Sequence, residues 1–197
     1  MTYVDLPNTK EKHPHYDHCT TKLDNNNFTS KKFQHFKNNS THKKIFKSFQ
    51  RIGMCLNSKP TKQIPNNGDL DKVCFVVIND YENVDGELGV GPLNDGYLFA
   101  LNHHRIGFKI FYLYNCPMDE FLIYLEFLMK NCNKYLTVFY SGRDNKAMDG
   151  IEFMDGSLER SEVNEVIANI CNPKKRFLFM TDCPNGGSIF DIKGCTN

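Results

Sequence analysis

Six consecutive apolar residues, Val73-Cys74-Phe75-Val76-Val77-Ile78, run without a polar interruption and are rich in β-branched and aromatic side chains. A strand with one face in water alternates polar and apolar residues, so an unbroken run of this length predicts a strand buried on both faces. Such a strand needs a covering layer on each side of its sheet, and this requirement governs the reading of everything around it.

The segments that follow alternate between the two periods. Asn79 and Asp80 end the run, and Leu88–Pro92 reads as a Gly-containing loop. Leu93–His104 places Leu93, Tyr97, Leu98 and Leu101 on one helical face, with Gly107 after its end. Phe108–Tyr112 reads as a second strand. Met118–Asn131 is the clearest helix, with a broad face of Phe121, Leu122, Leu125, Leu128 and Met129 and acidic Asp119 and Glu120 near its start. Tyr135–Tyr140 and Arg176–Met180 read as the third and fourth strands, with the Asp155-Gly156 turn signal and a Ser161–Ile170 helix between them. Strands alternating with helices of this length predict an α/β fold, a three-layer sandwich with a mainly parallel sheet and helices on both faces.

Charge divides the chain. Met1–Leu70 holds twelve Lys/Arg against five Asp/Glu, and Asp71–Asn197 holds twelve against eighteen, so the two parts carry +7 and −6. The first part, rich in Asn, Lys and His, is expected to be a solvated basic arm, and the folded domain is expected to begin near Asp71 after the linker residues Pro60, Pro65 and Gly68. Within the arm, Lys43–Cys55 carries Ile45, Phe46, Phe49 and Ile52 at helical spacing, which predicts a short amphipathic helix packed on the neighbouring domain, ahead of a membrane-surface role.

Met1–Tyr16 is polar and broken by Pro7 and Pro14, unlike a secretory leader, and no segment approaches the roughly 20 apolar residues of a membrane span. The eight cysteines are scattered without a C-x-x-C pair, as expected of reduced thiols. A cytoplasmic or nuclear, non-secreted protein is the expectation.

Four motifs occur in order: Asn94-Asp95 in the helix after the first strand, Tyr140-Ser141-Gly142-Arg143-Asp144 ending the third, Asp149-Gly150-Ile151 with Asp155-Gly156, and Asp182-Cys183-Pro184-Asn185-Gly186-Gly187 after the fourth. Over about Val73 to Asp191 this resembles a metacaspase, a caspase-fold cysteine peptidase. The resemblance implies a His and a Cys at neighbouring strand ends, the thiolate as nucleophile and the imidazole as proton carrier. The family's His position holds Arg143, which stays protonated and accepts no proton. At the nucleophile two alignments stand. The ungapped one, which is preferred, puts Pro184 there; a one-residue shift puts Cys183 there beside a permanent cation.

The resemblance also assigns Asp95 and Asp182 to a pocket for Arg or Lys side chains, a contact that carboxylates make well. It therefore implies a catalytically inactive, peptidase-like protein whose partner is a peptide or protein with basic residues, or an active homologue. Two alternatives remain: an endopeptidase cleaving after Arg or Lys with Cys183 as nucleophile, and a non-enzymatic interaction module. Further strands follow the nucleophile loop in the family, so an exposed edge is expected on the fourth strand here.

Three weaker signals remain. His13, His15, His18 and Cys19 are metal-ligand types, but their spacing fits a His-rich tail better than a structural zinc site. Calcium follows from the family resemblance alone, and Asp80, Glu82, Asp85 and Glu87 are expected to form a solvated acidic loop without an EF-hand pattern. No cofactor or resident metal is expected. Lys31-Lys32-Phe33 and Lys47-Ser48-Phe49-Gln50-Arg51 mix bases with aromatics without specifying a nucleic acid.

Overall fold

The computed structural model describes residues 40–59, 61, 64, 70–81, 88–147, 149–170 and 174–183. In chain order the elements are α1 (Ser40–Ile52), β1 (Gly53–Cys55), β2 (Lys72–Ile78), α2 (Gly91–Arg105), β3 (Lys109–Tyr114), α3 (Met118–Asn131), β4 (Tyr135–Ser141), β5 (Asp144–Asn145), β6 (Gly150–Glu152), β7 (Ser157–Glu159), α4 (Arg160–Ile170) and β8 (Arg176–Asp182). Five strands form one parallel sheet in the order β1-β3-β2-β4-β8, and β5, β6 and β7 form a separate antiparallel sheet.

The apolar run is the central strand. Every residue of β2 after Lys72 is buried, because its alternate side chains enter two different cores. Val73, Phe75 and Val77 join Phe121, Leu125, Leu128, Val163 and Ile167 under α3 and α4. Cys74, Val76 and Ile78 join Phe46, Phe49, Leu93, Phe99 and Ala100 under α1 and α2. The molecule is thus the expected three-layer sandwich.

Two glycines let the layers close. A Cβ on Gly96 would lie 2.7 Å from Ile78 Cγ1, so only glycine lets α2 seat on the end of β2. Gly107 stops α2 at φ +85°, with Ile106 and Gly107 donating to the His103 and His104 carbonyls, a left-handed helix end.

The basic amphipathic helix ends three residues earlier than expected. Gly53–Cys55 is instead a strand parallel to β3, and it approaches so closely that a Cβ at Gly53 would lie 2.8 Å from Ile110 Cγ2. Asn57 extends this edge with its side chain, donating to the Tyr114 carbonyl at 3.0 Å and accepting from the Tyr114 N–H at 3.0 Å. Residues 40–56 lie before the boundary drawn at Asp71, yet they pack on the sheet: Phe46 and Phe49 are 1% and 0% exposed, and the Phe49 ring lies tilted against Tyr112 with centroids 4.2 Å apart.

Among the described residues no strand pairs with the outer edge of β8, and Met180 on that strand is exposed. No helix among them is long and apolar enough to cross a membrane.

Replacing Phe49 with Ala is expected to cost about 3 kcal/mol of unfolding free energy in urea, as for other buried aromatics. A change below about 0.5 kcal/mol, the scale of surface substitutions, would show that α1 is not part of the cooperative unit.

Candidate functional site

Parallel pairing brings the carboxyl ends of the strands level. Ile78 lies opposite Tyr114 on one side and Ser141 on the other, and Ser141 lies opposite Asp182. The chain leaves β2 toward β3 and later returns to add β4 and β8 on the other side, so the topological switch falls between β2 and β4. Open α/β sheets bind ligands at such a point.

The segments after β2 and β4 meet there through Tyr81. Its φ of +56° is a left-handed conformation that costs a bulky side chain about 1 to 3 kcal/mol. Its hydroxyl is fixed from three directions, 2.7 Å from the Tyr140 hydroxyl, 2.8 Å from the Glu152 carbonyl and 2.9 Å from the Arg143 N–H, which donates to it. Tyr140 in turn donates to the Glu152 carbonyl at 2.5 Å, and the Asn79 amide donates to the same oxygen at 3.2 Å. One consistent proton order runs from the Arg143 N–H to Tyr81, on to Tyr140 and into the Glu152 carbonyl, a chain whose members polarise one another. Burial pushes both phenols well above their usual range, so they are neutral hydrogen-bonding groups and not bases.

This network explains Gly142. A Cβ there would lie 2.5 Å from the Tyr140 hydroxyl and 2.9 Å from that of Tyr81. It also places Arg143, whose guanidinium stacks over the Tyr81 ring at 4.3 Å and lies 3.6 Å from Glu152 Oε2.

The other sequence-derived residues distribute over the two faces. Cys183, just beyond β8, packs with the α3 and α4 core. Asp182 precedes it on the alternate face, exposed, and accepts from the Ser141 hydroxyl at 3.3 Å. Asp95 stands in the second turn of α2, beside the Gly96 that touches Ile78. By strand alternation Asp95 and Asp182 therefore share the α2 side of the sheet. Pro184 lies outside the described residues.

The described histidines are not placed to serve Cys183. His103 and His104 end α2 near the amino ends of the strands, where His103 packs edge-on against Phe108. His42 is fully buried on α1, across the sheet from Cys183.

Asp80 corrects the solvated-loop expectation. It is 1% exposed, because Asn115 at the end of β3 donates to its carboxylate at 2.6 Å and receives its N–H at 2.8 Å, while the Tyr114 hydroxyl donates to the second oxygen. His42 Nε2 lies 3.9 Å from that oxygen. Glu82, Asp85 and Glu87 lie outside the described residues, as do His13, His15, His18 and Cys19. Among the described residues no group of three His, Cys, Asp or Glu side chains is placed to hold a metal ion. Tyr81, Glu152 and the His42–Asp80 pair are the members of this region that the sequence reading did not find.

No protein-family model and no curated protein gives a significant match to the chain.

The Tyr81→Phe variant keeps the ring under Arg143 but removes the hydroxyl, and is expected to lose about 1 to 3 kcal/mol of stability, the cost of leaving buried partners unsatisfied. The raised phenols also set a pH dependence. The unfolded chain releases these protons above the ordinary tyrosine value of 10.0 while the folded chain keeps them. Stability from this source is therefore full below pH 10 and falls as pH rises beyond it, and urea midpoints should fall less steeply with pH in Tyr81→Phe.

Proposed function

We propose that this chain is a caspase-type domain of the metacaspase kind that does not hydrolyse peptides and acts by binding, its ligand being a protein segment with basic residues or an active homologue. The observation that carries the reading is Arg143. It lies two residues beyond the end of β4, next to the strand that precedes Cys183 and Pro184 in the sequence, where the family's chemistry needs a group that gives and takes a proton. A guanidinium does neither at physiological pH. The two phenols beside it are held neutral and buried, so they supply no replacement base.

Binding is supported by Asp95 and Asp182 on one side of the sheet, with Asp182 exposed at a strand end. Arg143 itself is engaged by Glu152 and Tyr81. Cys55, Cys74, Cys116 and Cys132 are free thiols, which supports a reducing compartment such as the cytosol.

The test uses folded full-length chain with fluorogenic Arg and Lys peptides, with and without calcium, alongside Cys183→Ala. The expected result is no turnover above a Cys183→Ala background. An immobilised Arg-containing peptide should bind, and Asp182→Asn should weaken it by about tenfold, the scale of one charge-assisted contact. Turnover abolished by Cys183→Ala would overturn the non-catalytic reading.

A further inference from the structure

The two outer layers of the sandwich present opposite charge. On α1, Lys43, Lys44, Lys47 and Arg51 are bases and no residue of the helix is acidic. Phe46 and Phe49 turn into the core, so Lys44, Lys47 and Arg51 form an exposed stripe along the outer side. Their spacing of three and four residues sets them on one helical line about 10 Å long. On the other face of the sheet, α4 turns Val163 and Ile167 inward and leaves Glu162 and Glu165 exposed. Glu159, exposed just before the helix, stands beside Glu162, whose carboxylate accepts the Glu159 N–H at 3.0 Å. Arg160 is the one base of α4, and its guanidinium binds the Asp149 carboxylate.

Neither stripe serves its own helix. Like charges three or four residues apart repel on a helix, and α1 holds three such pairs, Lys43 with Lys47, Lys44 with Lys47 and Lys47 with Arg51. Glu162 and Glu165 repeat the pattern on α4. Burial of Phe46 and Phe49 holds the first helix on the sheet and burial of Val163 and Ile167 the second, so each tolerates the repulsion without relieving it. The division extends over the whole chain, since Met1–Leu70, which contains α1, carries +7 and Asp71–Asn197, which contains α4, carries −6.

We infer that α1 of one copy of this chain docks on α4 of a second copy. The two stripes match in length and in number of charges, three bases against three acids, and both belong to this chain. A nucleic acid would use the basic stripe alone and leave the acidic one without a role. Because the stripes lie on opposite faces of the sheet, a copy that receives a partner on α1 still offers α4 to another, and the contact repeats head to tail without closing. Exposed ion pairs contribute little each, so the association is weak and sensitive to salt.

Sedimentation velocity of the full chain at low ionic strength tests it. The weight-average mass should rise with concentration past that of a dimer, and added salt should return it to the monomer. Lys44→Gln/Lys47→Gln/Arg51→Gln and Glu159→Gln/Glu162→Gln/Glu165→Gln should each weaken self-association by about tenfold or more. Glutamine keeps helix propensity and can still accept the Glu159 N–H at position 162. Each triple variant retains the stripe the other lacks, so their equimolar mixture should form a one-to-one dimer that grows no further. If a triple variant fails to fold, Lys47→Gln or Glu165→Gln replaces it, with about a threefold weakening expected. A monomer at every concentration, unchanged association in folded variants of either stripe, or association that strengthens with salt would each overturn the inference. Binding of single-stranded oligonucleotides or phosphatidylserine vesicles through the same three bases, by a chain that stays monomeric, would assign α1 to a different occupant and overturn it as well.

Discussion

Everything in this molecule depends on β2 having no face in water. A strand whose six residues after Lys72 are all buried needs a helical layer on each side. The layers then fix the rest: α2 must approach closely enough that position 96 admits no side chain, and α1 is needed to cover Cys74, Tyr112 and Tyr114 beside it. The same burial continues past the end of the strand, where Asn79 and Asp80 are still enclosed. Polar groups in such a place require partners, and the clusters around Tyr81 and Asp80 supply them for the Asp80 carboxylate and the Asn79 amide N–H, while Asn79 Oδ1 makes no hydrogen bond among the described residues.

The site follows from that requirement. What holds the segment after β4 is backbone chemistry, the Arg143 N–H donating to the Tyr81 hydroxyl at 2.9 Å and the Arg143 carbonyl accepting from the Glu152 N–H at 3.1 Å. The side chain adds little to the fold. Its pair with Glu152 is about a quarter exposed and contributes at most about 1 kcal/mol, and its stack on Tyr81 contributes about as much.

How much of this was legible in the sequence depended on whether the signal was local. The β2 run and the Met118–Asn131 helix read clearly because their periods are complete within one segment. Gly53–Cys55 reads as helix because its apolar spacing continues that of α1, and its strand state comes from pairing with Ile110–Tyr112, more than 50 residues away in sequence. Asp80 looked like a loop acid because its donors, Tyr114 and Asn115, lie 34 and 35 residues away in sequence. Tyr81 carried no signal at all, since its left-handed backbone is paid for by Tyr140, Arg143 and Glu152 from the far side of the switch point.

The charge pattern has the same origin. The helices run against the strands, so their positive ends lie at the carboxyl edge of the sheet and their negative ends at the amino edge. Acidic residues gather at the first edge, with Asp80, Asp95 and Asp182 at strand ends or early in a helix, and Asp119 and Glu120 in the first turn of α3. Bases gather at the second. Lys175 shows the purely structural use of a base there, donating to the carbonyls of Met129 and Lys130 at the end of α3 at 3.0 and 2.9 Å. Arg51, Lys72 and Lys109 stand at this edge too, around one hollow. One backbone geometry therefore sorts the side-chain charges between the two edges, acids where the helices begin and bases where they end.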